Sequence, residues 1–289
     1  MIDARLYAIV FRMTAIRRGA IPANHGDQAR AAMFDLLKRG NLPLTTHLHD
    51  ENGHKPYTIS LVHGGKRAVD GARHFGEGDL AEWRFTILSD STFEAVLRRY
   101  ILDRNLPHVR IGAVEFAITD AFASNGGHPL SGFVSIAALQ ERWNCTPDSL
   151  PKSLTLDFLS PTAFSKGQDK TSGTYHYISL PLPRILFSTL RKRWLNLGGN
   201  APGDEFDIWV DSTLNLEPIR LEMLPTVVER RTVPAFIGRA RFTHHGDPRW
   251  LGVAHLLADF TFWAGVGYQT TRGMGQAQRV LEEREQRHA

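Results

Sequence analysis

Cysteine is almost absent from this chain: Cys145 stands alone in 289 residues. One thiol allows neither an intrachain disulfide nor a cysteine-based zinc site, and a reducing compartment is the natural inference. Long apolar runs are missing too. The first residues carry Asp3 and Arg5 beside a short run, Leu6 to Phe11, which fits neither a secretory leader nor a membrane span, so a cytoplasmic protein is expected. Charge of one sign is scarce as well: 34 Lys and Arg against 30 Asp and Glu leave +4, a mild lean toward a polyanionic partner that 13 His would strengthen at lower pH. The remainder, 42% hydrophobic and 22% charged, is that of an ordinary globular chain. Its length suits two domains of about 130 residues each.

The motifs of mononucleotide binding are also lacking. The Gly-Lys-Ser/Thr of a P-loop is nowhere present, and the one glycine-rich stretch, Ala264 to Gln276 (A-G-V-G-Y-Q-T-T-R-G-M-G-Q), follows an apolar helical pattern instead of a strand. Leu251, Ala254, His255, Leu257, Ala258 and Thr261 keep helical spacing before it, and Val280 and Leu281 lie just beyond, so the stretch is expected to join a helix to a strand. Glycines at 265, 267, 273 and 275 permit φ > 0 and close approach to the backbone. Around Gln269, Thr270, Thr271 and Arg272 they can turn N–H groups outward as a concave nest for phosphate, with Tyr268 offering a ring to an unpaired base or to the core. A Gly-rich turn without a ligand is the simpler alternative.

Taken in order, the first half reads as a strand over Leu6–Met13 apolar on both faces, then a helix over Gln28–Arg39 with Ala29, Ala32, Met33, Leu36 and Leu37 on one stripe. Tyr57–Val62 and Trp83–Leu88 are the next extended runs, separated by an exposed, Gly- and charge-rich excursion from Gly64 to Gly78. Ser91-Thr92-Phe93-Glu94 is a capping box for a helix through Ile101, and Val109–Thr119 closes the unit as a strand. Strand, helix, strand, strand, helix, strand is the ferredoxin-like βαββαβ order. Asn125–Gly132 reads as a linker, placing one domain at 1–124 and another at 133–289. The second resembles a less regular copy, with strands at 153–164, 206–214, 227–232 and 235–243, a basic helix at 183–197 carrying Arg184, Arg191, Lys192 and Arg193, and Asp247 capping the last helix with Pro248 at its first position. The expected class is α+β, two tandem ferredoxin-like domains. Arg230, Arg231, Arg239 and Arg241 fall on neighbouring extended runs and offer either a solvated face or an RNA track.

Proton-transfer residues concentrate in T-T-H-L-H-D-E-N-G-H-K-P-Y, where His47, His49, His54 and Lys55 occupy nine positions. An extended His-x-His also suits a metal, with Asp50 or His54 as a third ligand, but the fixed helical spacing or paired cysteines that make such a motif specific are absent. No metal and no cofactor are therefore assigned. His25, just before the first helix, is a further candidate.

Four segments together resemble the CRISPR precursor-RNA-processing endoribonucleases, the Cas-six family of the RAMP superfamily: I-P-A-N-H-G (21–26), H-L-H-D-E-N-G-H-K-P-Y-T-I-S (47–60), F-L-S-P-T-A-F (158–164) and G-V-G-Y-Q-T-T-R-G-M-G (265–275). The resemblance covers nearly the whole chain. It implies tandem ferredoxin-like domains, binding of CRISPR repeat RNA, service to a CRISPR effector complex, and metal-independent cleavage in which the 2′-OH attacks the adjacent phosphate, leaving a 2′,3′-cyclic phosphate and a 5′-OH. The family's catalytic histidine, in its L-H-D/E context, falls on His49 and its lysine on Lys55, with His47 and His25 able to share the work. Some members carry a tyrosine on helix one, where this chain has Phe34. A non-catalytic RNA-binding RAMP subunit is the alternative.

Overall fold

Eleven residues, Arg5–Ala15, form strand β1, and nearly every side chain from Leu6 to Met13 is buried, as a strand covered on both faces requires. The computed structural model describes residues 4–40, 55–90, 93–94 and 108–280, without the side chains of 39 and 40. They fold as two units, one of residues up to 135 together with 271–273, the other of 136–270 and 274 onward. Among the described residues no helix is long and apolar enough to cross a membrane.

In the first unit β1 is followed by β2 (Gly19–Ile21), α1 (Gly26–Gly40), β3 (Tyr57–Ile59), β4 (His63–Gly64), β5 (Lys66–Arg67), β6 (Arg73–Phe75), β7 (Leu80–Ile87), β8 (His108–Ile111), β9 (Val114–Phe122) and β10 (Gly132–Ser135). The main sheet runs β3-β7-β1-β9-β8, with β10 beside the start of β1. Its strands β3-β7-β1-β9 have the order a ferredoxin-like βαββαβ unit requires. Phe11 lies opposite Trp83 and in edge contact with Phe85 at 5.1 Å. The stripe Ala29, Ala32, Met33, Leu36 and Leu37 of α1 joins this core, and burying each larger side chain contributes about 1.5–3 kcal/mol.

The second unit contains α2 (Ile136–Arg142), β11 (Ser153–Thr162), β12 (Phe164–Gln168), β13 (Tyr175–Ile178), α3 (Pro183–Asn196), α4 (Glu205–Thr213), β14 (Leu214–Met223), β15 (Thr226–Val228), β16 (Arg231–Val233), β17 (Phe236–His244), α5 (Leu251–Ala264) and β18 (Ala277–Val280). Its four-stranded sheet, β14-β17-β11-β18, repeats the ferredoxin-like order, and β12-β13 and β15-β16 stand apart as hairpins.

Several expectations change. The excursion at 64–78 is partly folded: β6 pairs with β2 on one side and β5 on the other in a small sheet, and Phe75 is buried. Val109–Thr119 is a hairpin turned at Gly112, whose φ is +60°. Residues 206–213 are helical, because Phe206, Trp209, Val210 and Thr213 bury one face at spacings of three and four, and the strand begins only at Leu214. Val227–Thr232 is also a hairpin, with Glu229 and Arg230 in the left-handed region at +50° and +63°. Asp247 accepts from the Arg249 amide and ion-pairs with its side chain, whereas the N-cap of α5 is Trp250. The segment read as a linker belongs to the first unit: Asn125 holds the Phe133 backbone through both ends of its amide, and β10 pairs with β1. The helix announced by the capping box lies largely outside the described residues; Phe93 stacks on Tyr7 at 3.7 Å.

Candidate nucleic-acid interface

The glycine loop joins α5 to β18, as the spacing predicts. All four of its glycines have positive φ (Gly265 +63°, Gly267 +80°, Gly273 +88°, Gly275 +68°), as does Gln269 at +55°. A Cβ on Gly267 would lie 2.3 Å from the Ala163 carbonyl oxygen and one on Gly275 at 2.0 Å from that of Val266, so close packing as well as dihedral freedom demands glycine. The segment F-L-S-P-T-A-F is what the loop leans on: Tyr268 N–H donates to the Ala163 carbonyl at 2.7 Å, Gly275 N–H to that of Pro161 at 2.9 Å, and Gln276 N–H to Ser160 Oγ at 2.9 Å. The amides of Gly267 and Gln269, and of Thr270 and Thr271 at the start of a 3-10 turn, donate to no acceptor among the described residues. A curved backbone with spare N–H groups is the chemistry of an anion nest.

One side chain supports this loop in a way the sequence did not signal. Arg193, buried, brings Nη1 to 3.5 Å from Thr270 Oγ1, and burial pushes its guanidinium down to about 10. Tyr268 rests on Tyr177 at 5.5 Å beside a small cluster of Ala163, Val228, Val233, Ala235 and Met274, so its ring contributes packing. Arg191 is likewise no surface cation: it is buried and bound by Asp204 at 2.7 Å and Asp207 at 3.1 Å.

The tip of the loop, Thr271–Gly273, packs with the first unit. The Arg272 carbonyl lies on Gly26, where a Cβ would sit 1.9 Å from its oxygen, and Arg272 Nε is 2.9 Å from Asp27 Oδ1. Gly273 abuts Leu61, again too closely for a side chain. His25 stands one residue from Gly26, and its Nε2 accepts the Val62 N–H at 2.8 Å, so Nδ1 carries the proton and donates to the Pro22 carbonyl at 2.6 Å. Both ring nitrogens are committed, and burial pushes the imidazole down to about 4. His25 therefore ties the turn before α1 to the chain beyond β3. A consequence for stability follows: the unfolded chain protonates this histidine near pH 6.5, the folded one only near 4, so its contribution is complete above 6.5 and is lost as pH falls toward 4. Thermal unfolding at pH 7 and 5 is expected to show a loss approaching ~1.4 kcal/mol per pH unit, flattened in His25→Gln.

His47 and His49 lie outside the described residues. Lys55 is half-buried just ahead of β3. The four candidate arginines of the second unit, Arg230, Arg231, Arg239 and Arg241, divide between two sheets. Arg230 is at the β15-β16 turn, and Arg231 lies over the Tyr175 ring at 4.0 Å. Arg239 and Arg241 share the open face of β17, where Asp157 holds Arg239 at 2.8 Å and Arg241 lies opposite Glu217.

Residues 156–277 match the family model described as CRISPR-associated endoribonuclease Cas6. A curated CRISPR-associated endoribonuclease Cas6 from Streptococcus thermophilus is 30% identical over 129 residues, 44% of this chain and 49% of that protein, so the chain spans about half the length of the curated relative it matches. Over this segment the chain is similar to Cas6. Solved Cas6 structures agree on the fold. One described as a product complex gives a TM-score of 0.75 at 23% identity, covering 96% of this chain and 100% of that one. A Cas6-related protein of Pyrococcus furiosus gives 0.66 at 14% identity, covering 96% and 100%. The family match takes in most of β11, the supporting segment 158–164 and the whole glycine loop. Of the four motifs, 21–26 and the loop tip meet in the first unit, where Leu61 and Val62, just past 47–60, touch them, while 158–164 holds the rest of the loop in the second.

Proposed function

We propose that this protein is an endoribonuclease that binds CRISPR repeat RNA and cuts the precursor transcript by metal-independent transesterification. The observation that carries this reading is the glycine loop, whose spare amides offer a backbone cradle for phosphate inside the segment that matches Cas6. Arg272, held at the start of α1, adds a fixed cation. In the proposed reaction the substrate's 2′-OH attacks the neighbouring phosphorus, and the P–O5′ bond breaks. One imidazole, assigned to His49, moves a proton, and Lys55 faces the negative charge that develops on the phosphorane oxygens. The expected products are a 2′,3′-cyclic phosphate and a 5′-OH. The backbone nest would bind phosphate without reading sequence, and bases would be read separately.

Purified protein incubated with labelled repeat RNA in EDTA tests the reading. Cleavage at the rate seen without chelator is expected, giving a 3′ end that phosphatase releases only after acid opening of the cyclic phosphate. Binding without cleavage would instead support a non-catalytic RAMP subunit of an effector complex.

A further inference from the structure

Two arginines of α3 are buried, and they are held differently. Arg191 is ion-paired with Asp204 and Asp207. Arg193, 6% exposed on the last turn of the helix, has no carboxylate within ion-pairing distance among the described residues. Its one polar side-chain contact there is Thr270 Oγ1, 3.5 Å from Nη1. Burial alone acts on this guanidinium, and no acidic neighbour raises its pKa again. A charge taken out of water is destabilising unless it is paired, and the carbonyl end of α3 offsets only part of that. An apolar side chain of similar length would fill the same place without the penalty, so packing does not account for the charge.

Thr270 is where this charge meets the glycine loop. A Cβ on Gly265 would lie 3.2 Å from Thr270 Cγ2, and one on Gly275 would lie 3.0 Å from it, so the threonine methyl packs against both arms of the loop. Arg193 therefore sits at the neck. Beyond the neck, the amides of Gly267, Gln269 and Thr270 donate to no acceptor among the described residues. Glu229 also reaches the loop, with Oε2 at 3.4 Å from Gln269 Nε2 and 3.9 Å from Arg231 Nη1, but it makes no ion pair with Arg193. A charge in the interior is screened far less than one in solvent, so an anion on these amides feels Arg193 without touching it.

We propose that Arg193 is the buried counter-charge of the glycine loop: from the neck at Thr270 it favours one phosphate oxyanion on the loop's spare amides and makes no contact with the RNA itself. This rests on the proposed RNA substrate and deepens it. The amides give the site its shape, and Arg193, a positioning residue, gives it charge.

The test uses the full chain and two ligands, because stability and binding are expected to move in opposite directions. Arg193→Met keeps the length of the stem and removes the charge, so its melting temperature without ligand should equal or exceed the parent's. Its Kd for a fluorescein-labelled repeat RNA, made uncleavable by a 2′-deoxy nucleotide 5′ of the scissile phosphate, should rise about tenfold, the order for a unit charge acting across a loop at an effective dielectric of about 20. Inorganic phosphate replacing chloride at constant ionic strength should raise the melting temperature of the parent more than that of Arg193→Met, since the general salting-out effect is common to both. A lower melting temperature with unchanged Kd for the folded fraction makes Arg193 a packing residue and overturns the proposal, as does unchanged Kd at any stability. Should Arg193→Met not fold, Arg193→Gln carries the same comparison, and failure of both to fold overturns the proposal too. A parent that binds no RNA but keeps the extra response to phosphate, lost in the variant, overturns the RNA reading and leaves the role of Arg193 standing. A parent that responds to neither ligand overturns both.

Discussion

A repeat RNA carrying one 2′-deoxy nucleotide immediately 5′ of the scissile phosphate is expected to bind normally and not to be cut at all. The reason is chemical: in the proposed transesterification the nucleophile is the substrate's own hydroxyl, and no protein group or water replaces it. The phosphate contacts proposed for Gly267, Gln269, Thr270, Thr271 and Arg272 involve no 2′-OH, so affinity should persist. A two-metal nuclease would behave otherwise, since it delivers water with its ions and tolerates the missing hydroxyl. Denaturing gels of end-labelled substrate, run beside the all-ribose RNA, provide the measurement. A cut deoxy substrate refutes the scheme outright.

Replacing His49 by alanine should slow single-turnover cleavage by about 10² to 10⁴, the range contributed by a positioned general acid or base, while Kd for the repeat changes little. Two comparisons give the result its meaning. His47→Ala should lose less if that residue only shapes the segment. His25→Ala should act mainly on stability, because both nitrogens of that ring are engaged by Pro22 and Val62 inside the first unit. An unimpaired His49→Ala would move the proton transfer to another histidine, and His54 would be the next to change.

Helix α1, helix α5 and strands β1, β7, β11 and β17 were legible because each is long enough for its burial period to show: Ala29, Ala32, Met33, Leu36 and Leu37 describe one helical stripe and no other pattern. Shorter elements were not. Residues 206–213 hold too few turns to separate a helix face from a strand, and the turn at Glu229-Arg230 takes positive φ without the glycine, asparagine or proline that would announce it. The basic helix at 183–197 showed its charges but not that Arg191 and Arg193 are buried, one of them against carboxylates 13 and 16 residues on.

The same division holds for the site. Sequence alone determined that four glycines punctuate a loop between a helix and a strand, that no P-loop or disulfide is available, and that histidines and a lysine crowd 47–55, since these are properties of residue type and spacing. The tertiary structure decided what the loop rests on and where its tip goes. Ala163, Pro161 and Ser160 hold it largely through backbone atoms, Gly26 and Gly273 are fixed by what lies against them, and Arg193 finds Thr270 77 residues away. Backbone carbonyls carry no residue signature, and contacts across such separations exist only once the chain has closed on itself, so no local pattern encodes them.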